Sequence, residues 1–496
     1  MLQKSHQLNI PNPYATRLVA LAEVLQKWKT NMSIKPRNFD KNVEQQLLKQ
    51  GVCSQETLGK YTEKEKKFFF NLLYIGSVGR RSHPDDPFAF SLYAYDRRKH
   101  ISLASRFDQM KHDIPLLLQV CNHLAGKWSD GYIITSVGKN IFLNSCNSVV
   151  ANSGLVDKND KPYNPPRNGI RSQLKDGGKC KIELSVANEI SINQLALRRL
   201  EKELEKQGGS EFLINQIKYM LTIVRASKSG CLPITYCQSK GGRLCAEGAW
   251  NLQNCSRIIR FAALAGHYDI DIENCHYTLL AQMCKRIGVS TPHIDEYVHS
   301  KNKIRQEIAT FFSCTEDMAK EILIALIYGS NLTTWGVLKK INVKSNELNL
   351  SGSWIDGLSK EIRCVRDSII SDYTSKTKGH FKIRNDAGMV INTKSEEMKS
   401  IKKSTLLAHI LHGAESWILQ NMIRYLGNNI VLLQHDGVTC FKPVDTEALT
   451  DYIEKKTKYR VRFDIEKLEV DFTDIKNTSY IDLDYENTFE ICSKAS

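Results

Sequence analysis

The sequence of 496 residues contains no apolar stretch long enough to span a membrane. Its opening residues, "MLQKSHQLNIPNPYATRL", carry no apolar core of a secretory signal. Together these absences lead us to expect an intracellular protein without a membrane partner; nucleus, cytoplasm and a viral replication compartment stay equally open. None of the 14 cysteines falls in a C-x-x-C pair. Without a secretory context they read as reduced thiols and small core residues rather than a disulfide framework. A zinc site from Cys231, Cys237 and Cys245 is disfavoured, because those spacings match no common ligand pattern. There is no internal repeat and no long low-complexity run. There is also no G-x4-G-K-[ST], so any motor activity would come from a separate protein, such as a helicase.

What the chain does have is positive charge, with a formal net charge of +15. A basic surface of this size favours polyanionic partners, nucleic acid and nucleotides among them. A hydrophobic fraction of 42% and a charged fraction of 25% are those of a globular protein, and the length allows two or more cores. Residues 1–150 read as a mainly helical domain of unknown role, with "ATRLVALAEVLQKW" and "KEKKFFFNLLYIG" at helical apolar spacing. Residues 151–186 are rich in Gly, Pro, Asn and Lys and read as a basic connection. Its Lys158, Lys161, Arg167, Arg171, Lys175 and Lys179 suit either phosphate contacts or a solvated loop. Residues 187–227 spell two helical runs broken at Gly208-Gly209-Ser210, with Ile192, Leu195, Leu200 and Leu204 on one apolar face. That pair is either ordinary two-helix packing or a protruding arm able to close on a duplex. From residue 228 onward the pattern mixes strands and helices.

Three stretches in this last part carry ionisable groups where chemistry could use them. In "YDIDIENCHYTLL", Asp269 and Asp271 sit two apart on a strand, so both face one side, and Glu273 continues that face. In "TEDMAKEILIALIYGS" a helix starts near Thr315, and Lys320 and Tyr328 lie on adjoining faces of it. A long helix at about 404–426 stops at Gly427, and "IVLLQHDGVTCF" then places Asp436 between two β-forming runs. Alone, Asp436 reads as a turn residue with Gly437 supplying a positive φ, and the strand carboxylates read equally as a solvated edge. Read together, acidic residues at a strand end beside an Asp at a hairpin tip suit Mg²⁺, which takes oxygen ligands. A hairpin turning at Asn385-Asp386 is expected within 379–393.

A further segment, "GRLCAEGAWNLQN" at 242–254, resembles the T-G-R-L…N-L-Q-N stretch of family A DNA polymerases, with one extra residue between its halves. The order that follows is also similar: an Asp-bearing strand, a helix with K-x7-Y-G, another helix, then His-Asp at a hairpin. The combination of D-I-D-I-E-N-C-H-x-T-L-L, I-Y-G-S and H-D-G resembles the transposon–virophage polymerase family. That group is allied to family A DNA polymerases and single-subunit RNA polymerases, and its members can be fused to helicase domains. The resemblance covers about residues 230–445. It implies an α+β right-hand polymerase with an antiparallel-sheet palm (230–300 and 427–475), helical fingers (about 300–426) and the 187–227 hairpin as a thumb.

Carried over by residue, the resemblance implies Asp271 and Asp436 as ligands of two Mg²⁺ ions, with Mn²⁺ as an alternative and Asp269 as the fallback for Asp271. Lys320 would bind triphosphate and act as general acid, Tyr328 and Gly329 would form the sugar and base pocket, and His276 would stand where ribose is screened out. Arg243, Gln253, Asn254, His412 and His435 would contact nucleic acid near the primer terminus. Three departures are clear. Glu316 replaces an Arg four residues before Lys320, leaving Arg305 as a substitute triphosphate contact. Gly437 replaces the acidic residue often found after the final Asp. No D-x-E motif of a proofreading exonuclease is recognised in the N-terminal half.

The implied activity is template-directed DNA synthesis from template-primer and nucleoside triphosphates, serving a mobile element or viral genome. A single-subunit RNA polymerase or primase-like enzyme is the alternative. Two readings of another class remain, a metal-dependent nuclease and a non-catalytic nucleic-acid-binding replication factor.

Overall fold

A computed structural model describes residues 35–78, 90–93, 104–121, 129–156, 161–163, 169–170, 184, 186–247, 251–330, 332, 350–377, 380–394 and 401–472. The helix expected at 15–28 and most of the basic connection, including Lys158, Arg167, Arg171, Lys175 and Lys179, lie outside these residues.

The N-terminal part holds helices α1 (Phe39–Lys49), α2 (Gln55–Gly59), α3 (Glu63–Val78), α4 (Ala104–Asp113) and α5 (Ser136–Asn147). It also carries a sheet that helical spacing did not announce. Strands β1 (Phe90–Tyr93), β2 (Leu117–Cys121) and β3 (Ser129–Ile134) form an antiparallel sheet in the order β1-β3-β2. Their short runs of four to six residues are too brief to separate from helix by periodicity alone. Phe107 of α4 meets Tyr132 of β3 edge to face at 5.9 Å, joining the helical and sheet layers.

The expected helical hairpin is present as α6 (Gln194–Gln207) and α7 (Glu211–Ala226), and Gly208 takes the left-handed C-terminal position at φ 64°. It is not a protruding arm. Helix α7 is buried on most of its circumference, Asn215, Gln216 and Thr222 included, and its Tyr219 packs against Phe39 of α1 and Phe142 of α5 at 6.2 and 6.0 Å. Of the expected apolar stripe Ile192, Leu200 and Leu204 are buried, and only Leu195 departs, 82% exposed, its place taken by Leu197.

The C-terminal part begins with a small hairpin, β4 (Tyr236–Gln238) and β5 (Leu244–Ala246), then α8 (Arg257–Ala263). Strand β6 (Tyr268–Ile272) leads into α9 (Cys275–Arg286), α10 (Pro292–His299), α11 (Lys301–Phe312) and α12 (Glu316–Ile327). Thr315 caps α12 as its sequence suggests, its hydroxyl accepting from the Met318 N–H at 3.2 Å. Helix α13 (Trp354–Tyr373) precedes a three-stranded antiparallel sheet, β7 (Thr374–Thr377), β8 (His380–Arg384) and β9 (Val390–Lys394). The β8–β9 turn starts at Asn385 as expected, closed by Asn385 N–H to the Met389 carbonyl at 2.9 Å.

Helix α14 (Lys403–Leu426) ends at Gly427, φ 53°. Strands β10 (Ile430–Leu433) and β11 (Gly437–Cys440), helix α15 (Thr446–Thr457) and strand β12 (Phe463–Lys467) complete the described chain. The sheet that matters most is four-stranded and antiparallel, in the order β10-β11-β6-β12. It brings the strand bearing Asp269 and Asp271 beside the hairpin bearing Asp436, although some 165 residues separate them in sequence.

Candidate active site

In β6 the alternation of a strand puts Ile270 and Ile272 on the buried side and Asp269 and Asp271 on the other. The two carboxylates then part company. Asp269 is buried, and its Oδ1 accepts from the Thr439 hydroxyl at 2.7 Å and from the Gln434 amide. Asp271 is half-buried, and its Oδ1 is shielded from solvent with no hydrogen-bond partner among the described residues. Glu273 lies beyond the strand and is taken by Lys301 at 2.8 Å and Arg462 at 2.9 Å.

Asp271 stands directly across from Gly437 in the β6–β11 ladder, and the Asp436 carbonyl accepts from the Ile272 N–H at 3.0 Å. These contacts change the role expected of Gly437. The turn closes through Gln434 N–H to the Gly437 carbonyl at 2.9 Å, with His435 and Asp436 at its tip. Gly437 opens β11 and is not among the glycines with positive φ. What its position forbids is a side chain: a Cβ there would lie 2.1 Å from Asp271 Oδ1 and 2.4 Å from the Ile270 carbonyl oxygen. Close approach of a strand to a carboxylate, rather than turn geometry, requires glycine.

Burial raises the Asp271 carboxyl well above the ordinary range, and the charges of Asp269 and Asp436 push it the same way against Arg260 and Arg257. Asp436 is raised too, by burial and then by Glu415, against Arg243 and His276. Crowded carboxylates with an unsatisfied oxygen are a donor set that a hard cation would satisfy.

Beside them lies a buried polar cluster. Arg243, just past the tight turn between β4 and β5, grips Glu415 of α14 with two bonds, Nε to Oε1 and Nη2 to Oε2, both 2.6 Å. His276 Nε2 lies 2.7 Å from the same Oε2, and its Nδ1 lies 3.0 Å from the Tyr328 hydroxyl. The hydroxyl also lies 3.3 Å from His412 Nε2. Glu415 is fully buried. Burial opposes its charge, yet Arg243 and His276 hold its carboxyl far below the usual range. His412 is driven the other way: burial, then Arg243, lowers it well below an ordinary imidazole.

The residues expected to touch nucleic acid are thus placed variously. Arg243 and His412 are buried in this cluster, and His435, at the hairpin tip, is buried as well. Gln253 is buried and committed to the backbone: its Oε1 accepts from Ala246 N–H at 2.7 Å, and its Nε2 donates to the Leu244 and Leu433 carbonyls, both at 3.0 Å. It ties β5 to β10. Asn254 is half-buried, and its N–H donates to Asn251 Oδ1 at 3.0 Å, so the N-L-Q-N run works here as a local clamp.

Tyr328 ends α12, and Gly329 follows at φ 82°. Ser330 N–H bonds to the Ala325 carbonyl and Gly329 N–H to the Leu326 carbonyl, both at 3.0 Å, a Schellman closure that needs the left-handed residue. Lys320 is half-buried two turns earlier on the same helix. Arg305 reaches the start of α9, donating to Asn274 Oδ1 at 3.1 Å and to the Tyr297 hydroxyl at 3.0 Å.

The sequence reading missed Glu415. A lone carboxylate inside the apolar run "ILHGAESWIL" was the available signal, since burial of such a group demands a cation nearby. Donor atoms of Cys275, His276 and Glu415 lie within 4.8 Å of one another, which would suit a metal on distance alone. We do not read a metal there. Arg243 already occupies both oxygens of Glu415, and burial pushes the Cys275 thiol well up, away from the thiolate a metal needs.

No family model matches the chain. Over 88 residues it is 35% identical to Putative helicase V13 of Sputnik virophage, a stretch covering 18% of this chain and 11% of that protein. The match therefore spans about a tenth of the relative's length. Among solved structures, the POL domain of Pol1 from M. smegmatis, in complex with DNA primer-template and dNTP, is similar at 15% identity. The comparison covers 54% of each chain at a TM-score of 0.36. Among the described residues no helix is long and apolar enough to cross a membrane.

Proposed function

We propose that this chain is a template-directed nucleotidyltransferase, a DNA-directed DNA polymerase that extends a primer from deoxynucleoside triphosphates. The observation that carries the reading is that β6 brings Asp271 opposite Gly437, beside Asp436 at the hairpin tip, with an unsatisfied Asp271 oxygen and both carboxyls raised. Asp271 and Asp436 would hold Mg²⁺. When bound, that metal would supply Lewis-acid activation of the primer hydroxyl and neutralise charge on the departing pyrophosphate. Asp269 Oδ1 is held by Gln434 and Thr439, so this carboxylate first fixes the strand to the hairpin.

In this reading the β10-β11-β6-β12 sheet is the palm and α12 a fingers helix, with Lys320 toward the triphosphate and Tyr328 and His276 on the sugar side. Helices α6 and α7 stand at the expected thumb position, with α7 packed into the core. Arg305 acts through Asn274 at the start of α9. The virophage relative supports a viral or mobile-element setting in which a helicase function accompanies synthesis, on this chain's partner or on a longer form of it.

Primer extension tests the proposal. The full chain with template-primer, Mg²⁺ and dNTPs should extend, and Asp436→Asn should lose at least about 10²-fold in rate while melting normally. An Asp436→Asn protein that extends at the wild-type rate overturns the assignment. Release of nucleotides from the primer without added triphosphates would instead favour the nuclease.

A further inference from the structure

We infer that Glu415 is the positioning residue that sets sugar selectivity, by fixing His276 as a rigid wall against the ribose 2′-hydroxyl; the inference rests on the polymerase reading above. Four observations carry it. Glu415 is fully buried, so a carboxylate there is costly unless paired. Both its oxygens are used, by Arg243 and by His276. The His276 ring is held at both nitrogens from two different helices, Glu415 of α14 on one side and Tyr328 at the end of α12 on the other. His276 also keeps the most open edge of the ion-paired trio, with 15% side-chain exposure against 8% for Arg243 and none for Glu415.

A wall that discriminates one hydroxyl must not move by the radius of an oxygen. A histidine with free χ rotation could swing aside, whereas one pinned at both ring nitrogens cannot without breaking a bond at each end. Glu415 can only accept, so it receives the Nε2–H of His276 and leaves Nδ1 facing the Tyr328 hydroxyl. The carboxylate therefore sets both where the ring sits and which nitrogen bears the proton beside the sugar pocket. Arg243 makes this arrangement affordable by neutralising the carboxylate, which accounts for its being turned inward rather than toward a groove.

The test compares Glu415→Gln with the wild type in single-nucleotide extension, using matched deoxy- and ribonucleotides. Glutamine keeps the shape, but its amide can present N–H₂ to His276 Nε2, reversing that bond. We expect the deoxy-to-ribo ratio of kcat/KM to fall about tenfold, the equivalent of about 1.4 kcal/mol. The ratio is informative because a merely structural defect lowers both sugars together. Should Glu415→Gln fold poorly, Arg243→Met/Glu415→Met removes both charges at similar volume and frees His276 in the same way. Either protein retaining the wild-type ratio, whether both rates fall in parallel or neither falls, overturns the inference. A wild-type chain that extends with neither sugar would instead remove the polymerase reading beneath it.

Discussion

Gly437→Ala is a one-methyl change whose consequence can be worked out atom by atom. The new Cβ would lie 2.1 Å from Asp271 Oδ1 and 2.4 Å from the Ile270 carbonyl oxygen, where ordinary contact begins near 3.4 Å. Neither neighbour is the far end of a flexible chain: one is backbone, the other a short carboxylate at the β6–β11 ladder. The hairpin must therefore back away from β6 by about 1 Å. A displacement of that size between reacting groups costs ~10²-fold in rate. Overpacking of this kind costs about 1–3 kcal/mol in stability. The control is Gly427→Ala, where φ is +53° but no atom lies within 4 Å of the added Cβ. Backbone strain there also costs about 1–3 kcal/mol, without moving the carboxylates. The two variants should thus melt at similarly lowered temperatures, while only Gly437→Ala loses extension rate in a single-turnover assay. Equal rates in the two proteins would refute the argument that Gly437 exists to admit Asp271.

Two further predictions concern residues away from the carboxylates. Gln253→Ala strips partners from Ala246 N–H and from the Leu244 and Leu433 carbonyls. The melting transition should fall by the equivalent of at least about 2 kcal/mol. An unchanged melt with weakened primer binding would show instead that Gln253 meets the groove. In the N-terminal part, the Arg106 guanidinium beside Glu65 draws that carboxyl down from 4.5 to about 2. A depressed carboxyl contributes stability that is complete above its unfolded value and is lost as pH falls toward its folded one. Arg106→Gln should therefore melt below the wild type by a constant margin above about pH 5. The margin should close as pH drops toward 2, and one that stays constant through that window would remove the ion pair as its cause.

Several features of this chain follow from sequence alone because they depend on neighbours within a few residues. The cap at Thr315, the breaks at Gly208 and Gly427, the β8–β9 hairpin and the strand-then-turn form around Asp271 and Asp436 are local matters of hydroxyl, glycine and alternation. The pair Asp271 and Asp436 could be singled out because ionisable residues at strand ends stand apart from an apolar background. Phase and partnership were not local. Leu195 and Leu197 satisfy helical spacing almost equally, and only docking of α6 decides which is buried. Arg243, Gln253 and His412 look like surface donors in a basic chain, and tertiary packing turns all three inward.

What sets Asp269 apart from Asp271 is its bonds to Gln434 and Thr439, which reach β6 only once β11 has paired with it. Glu415 shows the division most plainly. Composition marks a carboxylate in an apolar helix as costly, but its partners come from residues 243 and 276, and no spacing rule links positions so far apart. Residue type fixes in advance which groups need company, and packing assigns the company each receives, because desolvation acts on a residue and pairing acts across the fold.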